Sequence, residues 1–399
     1  MGKLIGGILL IVGTSIGAGI LALPVTTSEA GFISSSILLF LCWVLMTFSA
    51  LLILEVNLWL PENSHMISMA KKTLGLPGQI VAWLTYLGLL YALLAVYMSG
   101  GTDVLNSLLG LVGIPTQNWF DTLLFTVVLG SVVYLGTRTI DYVNRGLMFV
   151  KLGSFLILLL LILQHLKWPL LAYNHVSKLW ASTMVMITSF GFATIVPSLR
   201  IYFHGNAKKL RLVILLGSLI PLICYILWDL AILGTIPMKG QNGILAILAS
   251  GHTTSELMHS LQVVINSAAI SHLSKLFTSI CVATSFLGVA LCLTDFLADG
   301  LNIAPKGLGR LKVIFLTFMP PLLIVLFYPT AFLMALNYAG TFTSILLTLL
   351  PVLMVWRGRY YLNLSGSYRV AGGKPAMLLA LFASLAVVII GALQELHIF

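Results

Sequence analysis

Charge is scarce in this sequence. Only 8% of its 399 residues are Asp, Glu, Lys or Arg, against about 25% in a soluble domain. Apolar and aromatic residues make up 59%, and the mean hydropathy is +1.08. A water-soluble globule is excluded. Cysteine is sparse as well: Cys42, Cys224, Cys281 and Cys292 fall inside apolar runs, with no Cys-x-x-Cys pair. That spacing excludes a disulfide framework and a cysteine metal site. The phosphate-cradling Gly-x4-Gly-Lys-Ser/Thr loop of an ATP-driven pump is missing; Gly372-Gly373-Lys374 lacks both the earlier glycine and the following hydroxyl residue. No His-Glu-x-x-His run and no aspartate pair at span centres speaks for an intramembrane enzyme. No cofactor or metal is expected.

What the chain has instead is apolar runs, almost end to end. A bilayer span needs roughly 20 such residues, and eleven spans are expected at about 4–28, 33–59, 79–109, 118–136, 146–166, 178–203, 210–235, 272–298, 311–328, 330–355 and 375–393. These runs are too long for barrel strands, which alternate over about ten residues. The first span begins directly after Met-Gly-Lys and is read as retained. Lysine and arginine set the orientation. With the N-terminus cytoplasmic, only Lys167, Lys178, Lys239 and Lys275 fall outside; the inner side receives the other seventeen of 21, including Arg138, Arg145 and Lys306. The C-terminus is then expected outside. The net charge of +10 belongs to topology and anionic lipid, not to nucleic acid. Two connections carry apolar residues at helical spacing. One includes Met66, Met69, Ala70 and Leu74; the other includes Leu257, Leu261, Val264, Ile265 and Ala268. They occupy matching places if spans one to five and six to ten are repeats of opposite orientation.

Spans one and six are interrupted. Gly13-Thr14-Ser15-Ile16-Gly17-Ala18-Gly19 precedes Pro24, and Thr188-Ser189-Phe190-Gly191-Phe192 precedes Pro197. Each opens its five-span half. Glycines of this kind also serve close helix packing, but two interruptions at corresponding places point to a transporter site near the midplane. Unwound backbone there must be buried or line a cavity. Amides near Gly17 to Ile20 would start a half-helix and receive a carboxylate. Freed carbonyls around Gly13–Thr14 and Thr188–Phe190 would accept an ammonium. A zwitterionic amino acid suits both. An ion channel, which exposes a filter or a charged ring, fits two such breaks less well than a carrier.

These residues, with Pro221-Leu-Ile-Cys-Tyr-Ile-Leu-Trp-Asp229, Leu233-Gly-Thr-Ile-Pro237 and Ala283-Thr-Ser-Phe-Leu-Gly288, resemble the hydroxy and aromatic amino acid permease family, which includes bacterial tyrosine- and tryptophan-specific transporters. The likeness covers nearly the whole chain. It departs at Ala193, where members often carry histidine. The resemblance implies an all-α membrane protein of the leucine-transporter (LeuT) fold. Residues 1–166 and 167–355 would be the two inverted repeats, and 356–399 an inner connection with an eleventh helix. It also implies proton-coupled import of tyrosine, tryptophan or phenylalanine across the bacterial inner membrane.

Lys151 lies inside span five. An intramembrane lysine is a functional candidate, yet it can also snorkel to the headgroups. The resemblance implies the first reading. In related carriers a span-five lysine stands in for a sodium ion between spans one and eight, which would make Lys151 the proton-coupling group beside Thr284 and Ser285. Sodium held by span-one carbonyls with those two hydroxyls is the alternative. Among the acids, Glu55, Asp295 and Asp103 lie near span ends, where water or a basic partner can satisfy them; Asp229 lies deeper and is read as a hydrogen-bonded structural group. The histidines fall in connections or at span ends and receive no chemistry. For the substrate ring, Phe190 in the break is the leading aromatic, with Tyr91 on span three and Phe286 on span eight as further candidates.

Overall fold

The computed structural model describes residues 2–396 apart from Asn63, Val112, Pro115, Gly136 and 304–306. Lys306 and His397 therefore lie outside the described residues, as do the side chains of Arg138 and Arg145. With no water to pair backbone groups in a bilayer, each apolar run closes its own hydrogen-bond ladder as a helix. The helices are α1 (Gly2–Ser15), α2 (Ala18–Thr27), α3 (Phe32–Trp59), α4 (Met66–Leu111), α5 (Asn118–Leu135), α6 (Thr137–Leu163), α7 (Thr183–Ser189) and α8 (Val196–Tyr202). They continue as α9 (Ala207–Leu233), α10 (Ile244–Ser250), α11 (Thr253–Ile265), α12 (Ala268–Gly300), α13 (Gly307–Phe327), α14 (Phe332–Ser344), α15 (Leu350–Tyr360) and α16 (Gly373–Glu395). Among the described residues, ten helical stretches are long and apolar enough to cross a membrane, and α1 with α2, bent by 52°, makes an eleventh if the pair counts as one span. The chain is an integral membrane protein.

Both amphipathic connections are helical. The first is the opening arm of α4, set off from the span at Gly75, whose φ of 80° only glycine adopts without strain, with Pro77 just beyond. Its Met66, Met69 and Ala70 are buried. The second is α10 and α11, which bury Leu257, Met258 and Leu261 and end at Asn266 in a left-handed cap. This arm packs on α2, α4 and α12.

One irregularity was not legible in the sequence. Span ten loosens into a π-turn at Ile345–Leu349 between α14 and α15. Pro351 has no N–H to give the Leu347 carbonyl four residues back, and the Ser49 hydroxyl of α3 bonds that carbonyl instead. A proline interruption is thus repaired from a neighbouring helix, as a bilayer requires.

The centre is built by α1 packing along α9, α2 against α7 and α9, and α14 between α4 and α7. At one end of the bundle, Glu55 of α3 and Arg359 of α15 form a buried bidentate pair at 2.7 and 2.5 Å. Val370 completes it, donating its N–H to Glu55 at 2.7 Å and accepting from Arg359 at 3.0 Å.

Candidate functional site

The ladder of α1 ends where the Ile16 N–H donates to Val12 O at 2.9 Å. Gly17 then turns the chain (φ −139°, ψ −130°), and α2 starts at Ala18. The break leaves carbonyls of the last α1 turn without ladder donors and amides of the first α2 turn without ladder acceptors. The two ends carry opposite partial charges, negative at α1 and positive at α2. Residues 15–25 are all buried, so these groups must find partners inside the protein.

Three side chains from other helices supply them. Lys151 of α6 is 1% exposed, and its Nζ donates to Ile16 O at 2.8 Å. It does not snorkel: its ammonium sits at the break. The Tyr225 hydroxyl of α9 lies 2.6 Å from Ser15 O and 3.0 Å from Ser189 O, touching the ends of α1 and α7 at once. The Tyr97 hydroxyl of α4 meets Ser285 Oγ and the Ala18 N–H. A Cβ on Gly17 would stand 2.9 Å from that hydroxyl and 3.1 Å from Ser285 Oγ, so glycine here lets α4 and α12 reach the turn. Gly19 does the same for α7: a Cβ would fall 2.2 Å from Ser189 Oγ and 3.2 Å from Ser189 Cα.

Span six is interrupted more gently than span one. Phe190 (φ −103°, ψ 28°) leaves α7, its N–H turning back to Ile187 O at 3.2 Å. A 3-10 turn over Gly191–Ile195 follows, and α8 restarts with Pro197 in its first turn. The chain stays in helical turns through this interruption, whereas span one bends by 52° at its break.

The structure therefore gathers Ser15, Gly17, Ala18, Gly19, Ser189, Phe190, Lys151 and Ser285 around one junction. Phe190 is fully buried, with its ring edge-on to Tyr225 at 5.5 Å. Gly191 borders open space where a side chain would stand. Other expected residues are turned elsewhere. Gly13 lies within α1, under the Met148 side chain of α6. The Thr14 and Thr284 hydroxyls bond their own helices, at Leu10 O and Ile280 O, each 2.7 Å away. Thr188 bonds Met184 O at 2.8 Å and Leu336 O at 3.5 Å. Tyr91 and Phe286 make their contacts with α5 and α13. The Tyr91 hydroxyl donates to Leu316 O of α13 at 2.8 Å. Phe286 packs on Phe125 of α5 and stacks on Phe318 of α13 at 5.7 Å.

Tyr97 and Tyr225 also stand at the junction. Sequence reading named neither among its site residues, although Tyr225 stands inside one of the family-like motifs. The only signal available was a phenol in the middle of an apolar run, which must find a partner when buried.

Glu55 and Asp103 have the partners that their places at span ends suggest. Glu55 pairs with Arg359, and Asp103 accepts from His252 Nδ1 at 2.8 Å and Thr254 at 3.1 Å. Asp229 is buried, and its Oδ1 has no partner among the described residues; the Thr27 hydroxyl near it bonds Leu23 O at 2.8 Å instead. Gly13 to Gly17 also has the Gly-x-Ser-x-Gly spacing of hydrolase nucleophiles. Ser15 ends a helix rather than a strand, however, and its hydroxyl bonds Ile11 O at 3.0 Å.

At its centre this polytopic helical membrane protein holds partnered half-helix ends, and its likeness to known transporters makes it a permease rather than an enzyme. The chain belongs to the tryptophan/tyrosine permease family, whose profile matches residues 1–391. It is 38% identical over 391 residues to the tyrosine-specific transport system 1 of Haemophilus influenzae, covering 96% of this chain and 94% of that protein. It is 32% identical over 406 residues to the tryptophan-specific transport protein of Pseudomonas aeruginosa, covering 99% and 95%.

Proposed function

We propose that this chain imports an aromatic amino acid, tyrosine, tryptophan or phenylalanine, across the bacterial inner membrane by proton symport with alternating access. The observation that carries the reading is the junction itself: the Gly17 and Gly19 amides at the start of α2, carbonyls at the ends of α1 and α7, and a buried ammonium at Ile16 O. A substrate carboxylate would dock at the amides of Gly17 and Gly19, where a helix start attracts anions. Its ammonium would face carbonyls of the last α1 turn and of Thr188 to Phe190. The open space at Gly191, beside Phe190, would take the ring. The tyrosine- and tryptophan-specific relatives support an aromatic side chain.

The chain would have the LeuT fold. Supporting this, the order of broken span, long helix, amphipathic connection and three further spans occurs twice, in residues 1–166 and 167–355. Residues 356–399 would add the last connection and α16. The basic residues favour a cytoplasmic N-terminus and a periplasmic C-terminus. Lys151 would be the coupling group, releasing and regaining a proton as the junction opens and closes. Its ammonium already holds Ile16 O, which disfavours a sodium ion at that carbonyl by charge repulsion.

Purified protein in liposomes tests the reading. Labelled tyrosine or tryptophan should accumulate when the outside is made acidic, with sodium absent, and small neutral amino acids should compete poorly. Accumulation that requires a sodium gradient would establish the alternative coupling ion. Equilibration without accumulation under either gradient would remove active transport altogether.

A further inference from the structure

We infer that Tyr225 is the positioning residue that fixes where the substrate's ammonium docks, by holding the ends of α1 and α7 together through its one hydroxyl proton. The inference rests on the amino acid reading above and assigns a role to a residue outside the expected set. Both α1 and α7 present their C-terminal carbonyls to the same point, and both ends carry negative partial charge. Two such ends repel unless a donor stands between them. The Tyr225 hydroxyl is that donor, 2.6 Å from Ser15 O and 3.0 Å from Ser189 O.

Tyr225 comes from a third helix and is itself fully buried, its ring set against Phe190. Its α9 packs along α1 and also against α2 and α3, so the phenol is held in place by more than the two ends it joins. Each carbonyl oxygen has two lone pairs. One proton shared between two carbonyls leaves acceptor capacity on both, at a separation the phenol sets. An ammonium, with three donors and no acceptor, is the group that uses what remains. The opposite pole, at Gly17 to Gly19, is set by other contacts and does not depend on Tyr225.

The test is Tyr225→Phe in proteoliposomes, with uptake of labelled tyrosine read as KM and maximal rate separately. Removing a hydrogen bond that organises a charged group is expected to raise KM about tenfold or more while the maximal rate stays within about threefold. Inhibition by 3-(4-hydroxyphenyl)propionate, which keeps the carboxylate and ring but lacks the ammonium, should not change. An unchanged KM overturns the inference, as does an equal loss of affinity for tyrosine and for the analogue; in both cases wild-type transport leaves the functional reading standing. A wild-type protein that takes up no aromatic amino acid overturns both. If the phenylalanine variant does not fold, Tyr225→3-fluorotyrosine keeps the ring and strengthens the donor. A lower KM for tyrosine is then expected, and an unmoved one counts against the tie.

Discussion

At the scale of single residues, burial converts each polar side chain near the break into a statement about its partner. Lys151 illustrates this. Position alone left snorkelling and coupling equally open, and a lysine Nζ bonded 2.8 Å from Ile16 O removes the first. A pH difference of one unit is worth about 1.4 kcal/mol per proton, a tenfold accumulation of substrate. Lys151→Ala is therefore expected to lose that tenfold accumulation while still exchanging labelled for unlabelled substrate across the membrane. Full proton-driven accumulation in the variant would remove Lys151 from coupling. Tyr91 and Tyr97 show where sequence runs out at this scale. They stand six residues apart, about a third of a turn away from each other around the helix, so only one can face the break. In a soluble helix an apolar stripe would mark the inward face. In α4 all faces are apolar, and the distinction between the phenol at Ala18 and the phenol at Leu316 has no sequence signature.

Whole elements were easier to read than faces. Length and hydropathy sufficed for the spans because the bilayer fixes how long they must be, and both amphipathic connections announced themselves by period. The break in span one also fell inside its glycine run, at Ile16 and Gly17. The π-turn in span ten did not, because it depends on a serine from α3 reaching a carbonyl that Pro351 leaves bare. The arm formed by α10 and α11 carries its own prediction. His252, in the turn between them, contacts Asp103 of α4 from one side and lies near Glu256 of α11 on the other. The hydrogen bond to Asp103 raises the imidazole above its ordinary value, against the opposing effect of partial burial. A raised folded value means that the tie is fully present below about pH 6.5, the ordinary histidine value, and is lost as pH rises through the raised one. Amides of the arm should exchange hydrogen severalfold faster at pH 9 than at pH 6, after correction for the intrinsic rate. His252→Gln should flatten that difference. A variant that keeps the same pH response would show that the arm is held by its apolar contacts alone.

On the scale of the whole molecule, the question is what keeps the segment after α15 attached to the bundle. Apolar burial is a weak discriminator in a membrane, since lipid offers helices much the same environment. Polar closures therefore decide where a loop docks. Glu55, Arg359 and Val370 form one: a bidentate pair and two backbone groups that satisfy one another inside the protein, with Glu55 1% exposed. The pair joins α3 to α15 and pins the connection to α16, so it ties the beginning of the chain to its end. Nearby, Arg211 of α9 lies over the Tyr368 ring at 5.0 Å, adding a second hold on the same connection. Removing one partner of a buried pair costs about 3–5 kcal/mol, chiefly because the other charge is left alone. Arg359→Met is expected to lower the thermal unfolding midpoint in detergent markedly and to expose the 361–372 connection to protease. Adding Glu55→Met to that variant removes the orphaned charge and should recover most of the midpoint. Protection of the connection should not return, because the Val370 N–H and carbonyl still lack partners. Recovery of both together would mean that the pair contributes only charge balance; recovery of the midpoint alone identifies it as the clasp that sets where the last helix docks.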